Sequence, residues 1–273
     1  MNAKLIQVAR ETMTITKSGR YSWKGEERVL PKGDFGAVEV ITPEFGAELL
    51  GRDFSGVLQG EMCRIEVTGE DSFQAAARLG RALVLNFANA HHPGGGFLIG
   101  ARAQEEALCR GSTLYASISS EKAWEMYRYN NTHPSAVESD YMLLSPEICV
   151  FRDVDCELLE RPFVASVITA PAPNRRGAAL FASGNRIRET FLRRIRIIFR
   201  VAADRRYRAL VLGAWGCGAF GNDPVMVAEC FRTALVEDGF GRAFDTVVFA
   251  VYGKPDGPNL RAFREVFGTG GKT

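Results

Sequence analysis

Two adjacent carboxylates, Glu105 and Glu106, follow Gln104 after a run of three glycines, Gly94, Gly95 and Gly96. Carboxylates placed near a ligand can give and take protons, and paired ones serve glycoside hydrolysis. The surroundings suit such a role. The apolar run Ala82-Leu83-Val84-Leu85 reads as a buried strand, and a helical pattern opens at Gln104. Strand, glycine loop, helix start is the order in which open α/β folds hold ligands, at the carboxyl ends of strands. Glycine lets the backbone approach a ligand and adopt conformations that other residues avoid. Taken alone, the two glutamates also fit the positive end of a helix dipole. Neighbours on a helix point about 100° apart, so the pair does not read as the opposed acid and base of an ordinary glycosidase. One is expected to move the proton while the other orients a hydroxyl.

A second glycine-rich stretch runs Gly213-Ala214-Trp215-Gly216-Cys217-Gly218-Ala219-Phe220-Gly221-Asn222. Backbone N–H groups of such a loop form an anion nest, and the helix opened by Asp223-Pro224 adds its positive end. The spacing is not GxGxxG and there is no Walker lysine, which argues against a dinucleotide dehydrogenase or an NTPase. Cys217 sits between glycines with no histidine partner apparent in the sequence, so close backbone packing is favoured over a nucleophile. Phe220 reads either as core or as an aromatic for stacking. His91 and His92 read as polar supports of the first loop.

The two stretches together carry a resemblance. GGG, seven residues and then QEE, within NFANAHHPGGG, resembles the signature of poly(ADP-ribose) glycohydrolases of the compact microbial type. The second loop resembles that family's diphosphate loop, and the likeness runs from about residue 40 to residue 267. The resemblance implies a macrodomain fold and a metal-independent glycosidase with no cofactor. It implies cleavage of the ribose–ribose 1″–2′ bonds of poly(ADP-ribose), mainly from chain ends, with release of ADP-ribose. It assigns Glu106 as acid/base; Glu105 is then expected to hold ribose hydroxyls. Asn89 is implied as a ribose contact and Phe220 as a stacking residue. Gly94, Gly95, Gly96, Gln104, Gly213, Gly216, Cys217, Gly218, Ala219, Gly221 and Asn222 complete the expected binding set. Partners implied are poly(ADP-ribose), ADP-ribose and ADP-ribosylated proteins as carriers. The alternatives are removal of ADP-ribose from another acceptor, a protein side chain or a nucleic-acid base, and a non-catalytic macrodomain reader. The intact QEE argues against the reader.

The 273 residues hold 46% hydrophobic and 24% charged side chains, typical of a globular chain. A net charge of +2 creates no global field for a polyanion, so local loops must hold one. Six cysteines without a CxxC pair, beside three histidines, argue against a structural zinc site or a disulfide framework. Free thiols, no signal-peptide pattern and no apolar run of membrane length point to a cytoplasmic protein, expected to be monomeric.

Alternating patterns position the chemistry. Helices are expected over 3–17, 73–79 (capped by Asp71 or Ser72), 104–120, 121–131, 184–203, 223–237 and 259–267. Strands are expected over 37–41, 63–67, 82–85, 141–151, 162–170, 210–212 and 246–252. Residues 18–36 read as loop with short extended pieces, 170–174 as loop because of two prolines, and 268–273 as a fraying tail. The arginines between Arg186 and Arg206 read as a solvated face whose aliphatic stems cover the core. The fold expected is one three-layer α/β/α domain around a mixed sheet, residues 37–273, with residues 1–36 as an N-terminal accessory segment.

Overall fold

The computed structural model describes residues 2–268. In chain order the elements are α1 (Ala3–Ser18), β1 (Arg20–Trp23), β2 (Glu26–Val29), β3 (Glu39–Ile41), α2 (Pro43–Gly51), β4 (Arg64–Thr68), α3 (Ser72–Leu79), β5 (Ala82–Ala88) and α4 (Gln104–Gly111). There follow α5 (Leu114–Ile118), α6 (Trp124–Thr132), β6 (Met142–Arg152), β7 (Leu158–Pro171), α7 (Gly184–Asp204), β8 (Ala209–Leu212), α8 (Pro224–Arg232), β9 (Thr246–Ala250) and α9 (Pro258–Phe267).

Seven strands form one mixed sheet in the order β3-β6-β7-β5-β8-β9-β4. Strands β4, β9, β8, β5 and β7 run parallel, while β6 is antiparallel to both β7 and β3. Side chains alternate across a strand, and the two faces feed two cores. Leu83, Leu85, Leu210, Leu212 and Phe249 join Leu49 of α2, Phe191 of α7, Phe231 of α8 and Phe263 of α9. Ala82, Val84, Val211 and Val248 join Phe73 of α3, Leu108 of α4, Ile118 of α5 and Tyr127 of α6. These are the three layers. The chain leaves β5 toward α4 on one face and leaves β8 toward α8 on the other. The crevice between those two carboxyl ends is a topological switch point.

Departures from the expected elements have local causes. Residues 20–29 form a hairpin around Lys24-Gly25, both at positive φ, the turn that suits strand twist. Helix α2 was not anticipated: Thr42 caps it and Pro43 takes its first position, so the pair starts a helix as well as stopping a strand. The single helix expected over 104–120 is two, because Ser112 is extended and bridges Val150 of β6. Strand β7 runs on to Pro171, which pairs with Ala88 of β5 in the last register position, so the loop starts later than residue 170. The expected helix over 223–237 ends as α, with Thr233–Glu237 in π geometry. The tail reading lies outside the described residues beyond Gly268.

The arginine-rich helix needs a larger correction. Arg186 and Arg188 are exposed, but Arg194 is fully buried. Its guanidinium donates to Asp140 (2.8 Å), to the Pro171 carbonyl (2.9 Å) and to the Val137 and Glu138 carbonyls (2.6 and 3.1 Å). Burial lowers its pKa, and Asp140 opposes that. Arg193 also pairs with Asp140, and Arg196 with Asp238. Arg194 therefore ties α7 to the end of β7 and to the 137–140 segment, at the edge of the sheet where the loops gather.

Candidate active site

In the first glycine loop Gly95 lies on the carboxylates behind it, while Gly94 is pressed by the Tyr115 ring and Gly96 by Ala101. Gly94 and Gly95 have φ of +67° and +54°, where L side chains are strained. A Cβ on Gly95 would lie 2.6 Å from Glu106 Oε1 and 3.1 Å from Glu105 Oε2; one on Gly96 would lie 2.6 Å from the Ala101 Cβ. The backbone is thus laid directly on the paired acids. Both are buried, Glu105 at 3% and Glu106 at 7% exposure.

Their bonding differs. Glu105 Oε2 accepts the Asn89 N–H (2.8 Å) and Oε1 accepts from the Asn86 amide (3.3 Å), which also donates to Thr169 (3.1 Å). Burial, with the charge of Glu106 adding, pushes the Glu105 carboxyl up to about 8 against those hydrogen bonds. Glu106 Oε1 accepts the Gly96 N–H (2.8 Å), while its Oε2 is buried with no partner. A buried acceptor without a partner is costly, and this one belongs to the acid beside the glycine loop.

Other expected residues take the following places. Asn89 Oδ1 accepts the N–H groups of His91 and His92 (2.8 and 3.0 Å), closing the loop start, and its side-chain Nδ2 makes no hydrogen bond among the described residues. His91 braces the loop as expected: Nδ1 meets Asn131 Oδ1 (2.9 Å) and Nε2 faces Glu138 (3.3 Å). Gln104, expected as a ligand contact, lines the cleft and is also bonded to the protein. Its Oε1 accepts the Phe87 N–H (2.9 Å) and its amide donates to Leu85 O (2.9 Å) and Ser72 (3.1 Å), so it stitches α4 to β5 and α3.

In the second loop, Gly216 and Gly221 have positive φ, and Cβ atoms there would strike Asn222 and Arg176, respectively. Gly213 lies under the Ala250 carbonyl and the Phe87 ring. Gly218 is open on its Cβ side. Asn222, expected among the binding residues, is instead buried, and its amide donates to the Pro173 and Gly216 carbonyls (2.8 and 3.0 Å), holding the loop shut. Cys217 lies against the Trp215 carbonyl, and burial raises its thiol pKa, which fits packing.

A cleft of about 750 Å³ opens along this edge of the sheet, within the usual range of small-molecule sites. Gly216, Gly218, Ala219 and Phe220 line it on one side, with Phe87 and Gln104. Glu105 and Glu106 are not part of its lining; the cleft reaches α4 at Ala103, Gln104 and Ala107, while the acids face the glycine loop. Cleft and carboxylates therefore meet at the first turn of α4, and both count as the site.

The sequence reading missed several residues here. Asp71 lines the cleft; its Oδ1 caps α3, its Oδ2 is buried without a partner, and burial raises its pKa. Tyr252, 63% exposed, stands on the same side after β9. Asn2, Lys4 and Leu5 bring the N-terminal segment onto the cleft. Asn86, a polar residue inside an apolar strand, was the readable signal among these. Among the described residues no group of three or more His, Cys, Asp or Glu side chains is placed to hold a metal, and no helix is long and apolar enough to cross a membrane.

The family model for the microbial-type PARG catalytic domain matches residues 9–153. Poly(ADP-ribose) glycohydrolase from Thermomonospora curvata is 39% identical over 97% of this chain and 100% of its own, with a TM-score of 0.89. The same protein bound to the inhibitor ADP-HPD gives 38%, 97%, 99% and 0.86. Poly(ADP-ribose) glycohydrolase from Deinococcus radiodurans in complex with ADP-ribose is 40% identical over 84% of this chain and 93% of its own, with a TM-score of 0.76. No curated protein matches. With the family model spanning more than half its length, and a solved relative superposing along nearly all of it, the chain belongs to the family of microbial-type poly(ADP-ribose) glycohydrolase catalytic domains.

Proposed function

We propose that this protein hydrolyses the 1″–2′ O-glycosidic bonds of poly(ADP-ribose) and releases ADP-ribose, with Glu106 as the general acid and base. One observation carries the assignment within the pair: Glu105 has both oxygens bonded to the protein, whereas Glu106 Oε2 is buried and unpartnered. That free oxygen is the one available to a substrate.

The terminal ADP-ribose lies along the cleft. Its base is received near Tyr252, with Asp71 Oδ2 as an acceptor for an exocyclic amine. Its diphosphate rests on the N–H groups of the second loop under Phe220, and its distal ribose meets Asn89 and the glycine loop. The Glu106 carboxyl gives its proton to the 2′ oxygen of the neighbouring unit as the C1″–O bond breaks and its electron pair leaves with that oxygen. The oxocarbenium-like ribose is stabilised by the adjacent diphosphate. The Glu106 carboxylate then takes a proton from water as the water oxygen bonds to C1″. The products are ADP-ribose and a chain one unit shorter with a free 2′ hydroxyl. Glu105, its carboxyl pushed up by burial, orients ribose hydroxyls.

Residues 1–36 act as an accessory segment that supports the catalytic domain of residues 37–273. Thr12 donates to the Arg110 carbonyl, Arg110 donates to Ala101 O, and Tyr21 donates to Leu159 O. The segment also walls one end of the cleft, which favours a chain terminus as substrate. The protein acts as a cytoplasmic monomer on polymer carried by ADP-ribosylated proteins; the six free cysteines suit a reducing compartment. Incubation with purified poly(ADP-ribose), with products separated by size over time, tests the reading. Free ADP-ribose from the first minutes supports terminal cleavage; binding of ADP-ribose without release from polymer defeats the hydrolase.

A further inference from the structure

Phe181 is 95% exposed and its neighbour Leu180 is 60% exposed, in the loop that joins β7 to α7. A water-facing phenyl is costly, and adjacent exposed apolar side chains offer a contact surface. This loop is rigid. Ala179 is buried in the core beneath it, and its N–H donates to Asn174 O (2.9 Å). Further turns close from Gly177 N to Asn174 O, Leu180 N to Gly177 O and Ala182 N to Ala179 O. The loop also carries exposed Arg175 and Arg176, neither of which forms an ion pair among the described residues.

Its place follows from the sheet. Pro171 pairs with Ala88, so the loops after β7 and β5 begin side by side. Ala172 packs on Gly216, Arg176 on Gly221, and Asn222 donates to Pro173 O. Along the carboxyl edge the order is β4, β9, β8, β5, β7. Asp71 and Tyr252 stand after the first two, the diphosphate loop after β8, the glycine loop after β5 and Phe181 after β7. A terminal ADP-ribose running in that order has its C1″ at the β5 end. Whatever is joined to C1″ leaves toward the β7 loop.

We propose that Phe181, with Arg175 and Arg176, forms a polymer subsite for the unit from which ADP-ribose is cleaved. The phenyl stacks on that unit's adenine and the guanidinium groups meet its diphosphate. The subsite rests on the polymer-hydrolysis reading above and deepens it.

The test compares wild type, Phe181→Ala, Phe181→Trp and Arg175→Ala on purified poly(ADP-ribose), with calorimetric binding of ADP-ribose and Tm measured in parallel. Phe181→Ala is expected to raise KM for polymer about tenfold, the order of one base stack. It leaves kcat, ADP-ribose affinity and Tm unchanged, and Phe181→Trp retains wild-type KM. Arg175→Ala weakens the salt dependence of KM. Active wild type with an unchanged KM in Phe181→Ala overturns the subsite alone, as does an equal loss of ADP-ribose affinity. A wild type that releases no ADP-ribose overturns the hydrolase reading and the subsite with it.

Discussion

Replacing Gly95 by alanine perturbs the site at one atom, and its effect can be worked from the structure. The new Cβ would sit 2.6 Å from Glu106 Oε1, where ordinary contact begins near 3.4 Å, so the carboxylate must retreat by about 0.8 Å. Alanine at φ +54° costs roughly 1–2 kcal/mol. Disturbing the buried Gly96 N–H bond to Oε1 costs about 1–3 kcal/mol more. The sum, about 2–5 kcal/mol, corresponds to a Tm lower by roughly 5–15 °C for a chain near this size. A misplacement near 1 Å at the reacting group costs about 100-fold in rate. The assay is initial release of ADP-ribose from poly(ADP-ribose), with Tm by calorimetry. Gly51→Ala is the control, since nothing lies within 4 Å of a Cβ there and its φ is not positive. A Gly95→Ala protein within about threefold of wild-type kcat/KM and with an unchanged Tm would refute the view that position 95 must lack a side chain for the backbone to lie on the acids.

Two further substitutions probe the frame. Arg194→Ala removes a fully buried guanidinium and leaves Asp140 with only Arg193, and it strips donors from three carbonyls. It should lower unfolding free energy by about 3–5 kcal/mol, read by urea denaturation; a loss under about 1 kcal/mol would mean that the network is incidental. Glu105→Gln addresses the raised carboxyl. Its folded pKa, about 8, lies above the ordinary value of 4.5. Between those values the folded chain keeps a proton that the unfolded chain has released, so this group's contribution to stability falls as pH rises from 4.5 to 8. Glu105→Gln should flatten the decline of Tm over that window; an unchanged slope would show that Glu105 is ionised in the folded protein.

What the sequence disclosed was local. The helix expected over 184–203 is α7, and Asp71, one of the two caps expected for the helix over 73–79, is the residue that caps α3. The spacing of Gly94–Gly96 and Gln104–Glu106 was legible because one loop and one helix turn carry all of it. Tertiary contacts hid the rest. Ser112 breaks a good helical pattern because it must bridge β6. Asp71, Tyr252 and Phe181 follow three different strands, and only the strand order brings them to one edge. Gln104 and Asn222 have side chains suited to ligands as well as to backbone groups; Gln104 lines the cleft while bonded to β5, and Asn222 is bonded within its own loop. Arg194 resembles its exposed neighbours in the sequence; its burial depends on Asp140 arriving from a distant segment.

The central claim is that Glu106, the acid with a free buried oxygen, moves the proton. The most direct measurement is ADP-ribose release from purified poly(ADP-ribose) by wild type and by Glu106→Gln, with ADP-ribose affinity measured on the same preparations. Loss of about a thousandfold or more in kcat with affinity retained is the result expected. Turnover by Glu106→Gln near the wild-type rate would contradict the account and move the acid/base role to another group.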